Sequence, residues 1–204
     1  MALLTESIVR SRARQALSDD RTLRKSTHFR SFSDVLFERI LALALSERFD
    51  MFISHSFRDA ELVLGITCML QDLGYKPYVD WIQDRELDRN NVTASTAEIL
   101  RKRMKSSASL FYLTTSNSTQ SKWMPWECGY FDGLREKCAI LPILSYSASK
   151  FIGQEYLGLY PYSTIQQSVA KTNRLYIYKP DNSAYALYET WVSTENAKIN
   201  WWPA

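Results

Sequence analysis

The sequence predicts an α/β fold: a three-layer sandwich with a central parallel five-stranded sheet, helices on both faces and an N-terminal helical extension. Three observations predict it. From residue 49 onward, short apolar runs alternate with stretches whose apolar residues recur at helical spacing. Several of the runs are apolar along most of their length, which suits strands covered on both faces. The first and third of them end in short polar loops that lead into helices, as strands of a parallel sheet do.

The elements follow in order. Residues 1–47 read as a helical extension and residues 48–204 as the main domain. Within the extension, Ile8, Ala13 and Leu17 are thinly spread among Arg and Asp and give a weak helix. Phe32, Val35, Leu36, Ile40, Leu43 and Ala44 give a stronger one, with Ser33 as its expected N-cap. Phe49 to Ile53 is the first strand, ending in the polar loop Ser54-His55-Ser56-Phe57-Arg58-Asp59. A helix over 59–73 places Leu62, Ile66, Met69, Leu70 and Leu73 inward and stops before Gly74. Tyr75 to Val79 is the second strand, and Pro77 implies a late start or an edge position. The charged connection Asp80–Asn91 is longer than structural loops require. A helix over 93–105, a strand over 108–113 and the loop Thr114–Ser118 come next.

The following helix carries Trp123-Met124-Pro125-Trp126-Glu127-Cys128, with Pro125 expected at its first position. Trp123, Glu127, Tyr130 and Leu134 recur at helical spacing, so the acid shares a stripe with aromatics. A desolvated carboxylate is costly unless paired, although an acid in a first turn also complements the helix dipole. Cys138 to Leu144 is the fourth strand, and 151–162 reads as an irregular aromatic segment. Leu175 to Tyr178 is the expected fifth strand, 183–192 a closing helix, and Trp201-Trp202 an aromatic tail.

Composition excludes several classes. With 25 Lys and Arg against 22 Asp and Glu, the net charge of +3 is too mild to argue for nucleic acid. The basic clusters at 10–30 and 101–105 read as solvated helix faces. Three cysteines without ligand spacing fit a reducing compartment, and with two histidines neither a metal site nor a Ser-His-Asp triad is supported. No apolar run is long enough to span a bilayer, so a cytoplasmic, membrane-free chain is expected. No G-x-G-x-x-G or Walker loop occurs, which disfavours dinucleotide-fingerprint and P-loop enzymes.

Ligands of parallel α/β sheets bind beyond the carboxyl ends of the strands. Here those ends deliver Ser54, His55, Ser56 and Phe57, then Asp80 and Trp81, then Thr114–Asn117 and the helix of Glu127. Phe57, Trp81 and Trp123 are candidates for stacking, or for plain packing. Ser54 and His55 are candidates for ligand hydroxyls, or for helix capping. Asp80 binds a ligand hydroxyl or fixes its loop. Cys128 has no histidine partner and reads as packing.

In this order and spacing, Phe49–Ser56, Gly74–Asp80 and the W-x-x-x-E pair Trp123/Glu127 resemble Toll/interleukin-1 receptor (TIR) domains, over roughly 48–192. The resemblance implies a flavodoxin-like sheet and two alternative functions. One is NAD+ cleavage at the nicotinamide–ribose bond, by hydrolysis or cyclisation, with NAD+ as substrate and no other cofactor. The resemblance further implies a signal nucleotide or NAD+ depletion in antiphage defence, switched by TIR–TIR self-association, with a downstream effector reading the product. The other is a non-enzymatic adaptor that contacts partners through the loop 81–91 and the N-terminal leader helix. A third, weaker reading is a nucleoside-transferring enzyme of related architecture. Under the enzymatic reading Glu127 is the catalytic carboxylate and Ser54, His55, Phe57, Asp80, Trp81 and Trp123 bind substrate. Arg85 and Arg89 are weighed for the pyrophosphate, with a solvated loop face preferred.

Overall fold

The computed structural model describes residues 3–24, 31–44, 48–79, 94–145 and 155–204. Within them the strands are β1 (Leu4–Thr5), β2 (Phe49–Ser54), β3 (Pro77–Val79), β4 (Ser107–Thr114) and β5 (Cys138–Leu144). β6 (Tyr162–Gln167), β7 (Asn173–Tyr178), β8 (Ala184–Leu187) and β9 (Trp202–Pro203) complete the set. The helices are α1 (Glu6–Arg24), α2 (Phe32–Ala44), α3 (Ala60–Asp72), α4 (Ala94–Lys105), α5 (Trp123–Arg135) and α6 (Tyr188–Ser193).

All the described strands join one sheet, in the order β3-β2-β4-β5-β6-β7-β8-β9, with β1 added to β5. The run β3-β2-β4-β5-β6 is parallel throughout, so the expected five-stranded parallel sheet is present. Its fifth member is β6, which starts at the last residue of the segment read as irregular and runs through residues to which the sequence reading assigned no element. Leu175 to Tyr178 does form a strand, β7, but it runs antiparallel to β6 and opens an antiparallel extension through β8 and β9. The expected closing helix divides into β8 and the short α6. Its spacing of Tyr185, Leu187, Tyr188 and Trp191 satisfies strand and helix periods in turn.

Alternation along the parallel strands splits the core in two. Met51, Ile53, Phe111, Leu113, Ala139 and Leu141 face α1, α2 and α3. Phe52, Leu110, Tyr112, Cys138 and Ile140 face α4 and α5, represented by Leu100, Met104, Met124, Cys128 and Phe131. This is the three-layer sandwich. Pro77 behaves as its chemistry requires, opening β3 late and at the sheet edge.

The N-terminal helices cover one layer. α1, the helix with the weaker sequence signal, buries Val9, Ala13 and Ala16 against α3. The helices cross at Gly65, where an added Cβ would collide with the Val9 carbonyl oxygen. Arg10 pairs with Glu61, and Arg12 makes a two-pronged bond to Asp72 at 2.7 and 2.8 Å. These pairs explain why a sequence rich in Arg is not a solvated face here. Arg12 holds the Asp72 carboxyl below its ordinary range. α2 is capped by Ser31 rather than Ser33. The Asp34 amide donates to Ser31 Oγ (3.2 Å), and the Ser31 amide donates back to the Asp34 carboxylate (3.0 Å).

Candidate active site

In this strand order the chain passes from β2 to β3 on one side and then from β3 back across β2 to β4 on the other. The crevice between the β2 and β4 carboxyl ends is therefore the topological switch point, where such sheets bind ligands. Two loops form it. The β2–α3 loop runs from His55 through the 3-10 turn Phe57–Asp59, and the β4–α5 loop runs from Thr115 through the turn Ser118–Gln120.

Asp59 fastens the loops together. Its buried carboxylate accepts from Thr115 Oγ1 and from Asn117 Nδ2, each at 2.6 Å. Thr115 Oγ1 in turn accepts the Asn117 amide at 3.0 Å, and Ser118 Oγ donates to the Thr115 carbonyl at 2.9 Å. Arg58 adds a link nearer the surface, donating to Gln120 Oε1 at 2.6 Å. Bonds to a buried carboxylate are the strong kind, so Asp59 ties the two loops together.

α5 begins directly after this assembly. Ser121 accepts the Met124 amide at 3.3 Å, and Pro125 occupies the third helical position rather than the first. It is tolerated there because first-turn amides have no intrahelical partner. The buried stripe of α5 is Met124, Glu127, Cys128 and Phe131, while Leu134 is 39% exposed. Glu127 thus lies on the core face, at its border with the flanking row of Trp123, Trp126 and Tyr130. The sequence stripe through Leu134 was displaced by one position because both patterns share Glu127.

Glu127 is 6% exposed and accepts a hydrogen bond from Ser54 Oγ at 2.5 Å. The residue ending the first strand and the acid of the fifth helix, 73 positions apart, therefore meet as the sequence reading required. Tyr112, paired with Ser54 in the β2–β4 ladder, lies on the same side of the sheet. Burial first, then its bond to Tyr156 (3.2 Å), pushes the Tyr112 phenol up, with the charge of Glu127 adding to the effect. It stays protonated. Thr114, two residues on, is buried, and its hydroxyl has no hydrogen-bond partner among the described residues.

A cavity of about 640 Å³ is lined by Ser56, Phe57 and Arg58 of the first loop, Gln120 to Trp123 and Trp126 of the second loop and α5, and Ala97 and Arg101 of α4; Ser54 and Glu127 are not in its wall, although their chain neighbours Ser56 and Trp126 are. The size suits a cofactor-sized ligand. Phe57 (49% exposed) and Trp123, both expected at the site, are in its wall. His55 is buried, with Nδ1 3.0 Å from the Ile53 carbonyl, and is not in the wall. Asp80, Trp81, Arg85 and Arg89 lie outside the described residues. Sequence reading missed Arg58, Gln120, Lys122 and Trp126 as wall residues, and assigned Arg101 to a solvated face. Arg101 is exposed, as that reading has it, and its guanidinium also sits over Trp126 and Tyr130, 5.4 and 5.9 Å from the ring centroids.

Cys128, next to Glu127, is packed in the core, and the Cys138 thiol donates to its carbonyl at 3.6 Å. Its contact with the Cys128 thiol, then burial, pushes Cys138 well up, so it remains a thiol. Among the described residues no group of His, Cys, Asp and Glu has the arrangement of a metal site, and no helix is long and apolar enough to cross a membrane.

No protein-family model matches the chain. It is 42% identical over 177 residues to the Bacillus cereus (strain MSX-D12) protein named "Probable 3' cyclic ADP-D-ribose synthase ThsB'", covering 84% of this chain and 91% of that protein. It is 34% identical over 83 residues to the Cytobacillus dafuensis protein named "Putative cyclic ADP-D-ribose synthase TIR2", covering 40% of this chain and 22% of that one. Among solved structures, the TIR domain of the Toll-related receptor TRR-2 from Hydra magnipapillata aligns with a TM-score of 0.37 at 19% identity. That alignment covers 56% of this chain and 82% of the receptor domain.

Proposed function

The chain belongs to the TIR family, in its branch of cyclic ADP-ribose synthases, and from that premise we propose that Glu127 is the catalytic carboxylate of an NAD+-cleaving cyclase. The enzyme breaks the bond between nicotinamide and ribose. The observation that carries the assignment is the buried Glu127 held by Ser54 at the switch-point crevice, on the helix whose Trp123 and Trp126 line an aromatic and cationic cavity.

The chemistry follows from the charges. NAD+ carries a cationic pyridinium, so when the glycosidic C–N bond breaks its electron pair passes to nitrogen and nicotinamide leaves neutral. No acid is needed to protonate it. The sugar left behind has oxocarbenium character, and an adjacent carboxylate in a mostly desolvated place stabilises that charge strongly. Glu127 meets this requirement: little solvent screens it, and Ser54 fixes one of its oxygens. A hydroxyl of the same nucleotide then attacks the anomeric carbon, loses its proton and closes a cyclic ADP-ribose; attack by water gives linear ADP-ribose instead.

Phe57 and Trp123 supply stacking faces for the nicotinamide or adenine rings, and Ser54 orients the carboxylate. The assembled enzyme is a self-associating TIR protein whose nucleotide product serves antiphage signalling in the cytoplasm, read by a downstream effector. Incubation with NAD+, with products separated by chromatography and identified by mass, tests the reaction and the cyclic linkage together. Glu127→Gln keeps size and removes charge. It is expected to lower turnover at least ~10³-fold, the scale set by losing an electrostatic stabiliser of the transition state, with the thermal unfolding curve retained. Turnover equal to the native protein's would remove Glu127 from the reaction.

A further inference from the structure

We propose that Arg101, with Arg58 and Lys122, forms a pyrophosphate-binding wall that selects dinucleotides over uncharged nucleosides in this cavity. The inference rests on the NAD+ reading above and assigns residues to a part of the substrate that Glu127 and the aromatic faces do not address.

The wall residues divide by chemistry. Phe57, Trp123 and Trp126 are aromatic, Ser56, Gln120 and Ser121 are neutral hydrogen-bonding groups, and Arg58, Arg101 and Lys122 are cations. No carboxylate occurs among the described wall residues. All three cations are exposed, and a cleft lined by charge of one sign concentrates a ligand of the other. Arg101 comes from α4, Arg58 from the β2–α3 loop and Lys122 from the start of α5, so three separate elements bring a cation to one wall.

Arg101 is held ready. Its guanidinium lies over Trp126, whose ring stacks on Tyr130 at 5.7 Å and 18° and meets Trp123 edge-on at 5.3 Å. A guanidinium lying on aromatic faces keeps its edge N–H groups available, and that planar fork matches phosphate oxygens in pairs. Arg58 is held as well, by its bond to Gln120. Trp126, the ring under the Arg101 guanidinium, immediately precedes Glu127 on α5. The ligand class is a nucleotide with a pyrophosphate between two ring systems, each ring having an aromatic wall residue to lie against.

The test separates this assignment from the reading it rests on. NAD+ binding is measured by titration calorimetry on the Glu127→Gln protein, where the substrate persists, and on the same protein also carrying Arg101→Gln or Arg101→Lys. The Arg101→Gln protein is expected to bind NAD+ at least ~10-fold more weakly, with a shallower dependence on salt, because fewer cations meet the phosphates. Arg101→Lys, keeping charge without the fork, should fall between. Nicotinamide riboside, which has no phosphate, should bind all of them alike. In steady state, Arg101→Gln alone should raise KM for NAD+ by a similar factor with kcat within about twofold.

Unchanged NAD+ affinity and salt dependence in Arg101→Gln, beside an inactive Glu127→Gln, would overturn the phosphate wall and leave the enzyme standing. Equal loss for NAD+ and nicotinamide riboside would also overturn it, since that is the mark of a disturbed pocket. Native protein that neither binds nor cleaves NAD+ would overturn both.

Discussion

One sheet holds two halves built on different rules. The parallel half, β2 to β5, is covered on both faces, and its strands are buried along almost their whole length. The antiparallel half, β6 to β9, buries Leu175, Ile177 and Ala186 on one face and is covered only in part on the other, where Thr164 and Tyr178 are buried. That second face carries a row of rings across three strands: Tyr178 faces Tyr185 at 5.5 Å, and Tyr185 faces Trp202 at 5.8 Å. Covering both faces forces each strand end to turn outward into a helix, so polar groups gather at one rim. A sheet with one face covered only in part is stabilised instead by cross-strand pairs. The difference explains why the carboxylate, the clamped loops and the cavity all fall in the parallel half.

The contrast is broken most strongly by cutting the loop clamp. Asp59→Ala removes two short bonds to a buried carboxylate, each of a kind worth roughly 1.5–3 kcal/mol. A loss of about 3 kcal/mol of stability is expected in denaturant unfolding. Turnover should fall about 10-fold as the two walls lose register. Asp59→Asn preserves shape and should lose less of both. A stability loss with fully native kinetics would show that the loops hold the site without the clamp.

Ser54→Ala sharpens the contrast on a smaller scale. It frees one oxygen of Glu127 without touching the cavity wall, so kcat should fall by roughly 10-fold with KM little changed, the signature of a transition-state interaction. Stability should change by about 1 kcal/mol. A rise in KM with native kcat would reassign Ser54 from orienting the carboxylate to holding substrate.

The two halves also differed in how far their residues disclosed them. Cys138 to Leu144 and Phe49 to Ser54 were legible because buried parallel strands are apolar runs with polar stops. Ser54 and Glu127 were legible as site residues because a strand end and an acid on a helix leave separate local marks. β6 was not legible: Tyr162 to Gln167 mixes ring, hydroxyl and amide side chains, and its place is fixed by pairing with β7 along its full length. Arg101 and Trp126 escaped for a related reason. A cation lying on an aromatic ring from another helix has no signature in either segment alone.

The smallest effect belongs to the partly covered face. Trp202 is 40% exposed, ends the aromatic row and lies on the two-residue strand β9. Trp202→Ala removes one ring contact, worth about 0.5–1 kcal/mol, and leaves the switch-point crevice intact. A slightly lower unfolding midpoint with unchanged kcat and KM for NAD+ is the expected outcome. A loss of turnover as large as that of Ser54→Ala would mean that the antiparallel half holds the β5 end of the sheet in its working geometry. The covalent chemistry would then depend on the whole sheet, because β6 joins the parallel half through the pairing of Ile140 with Tyr162.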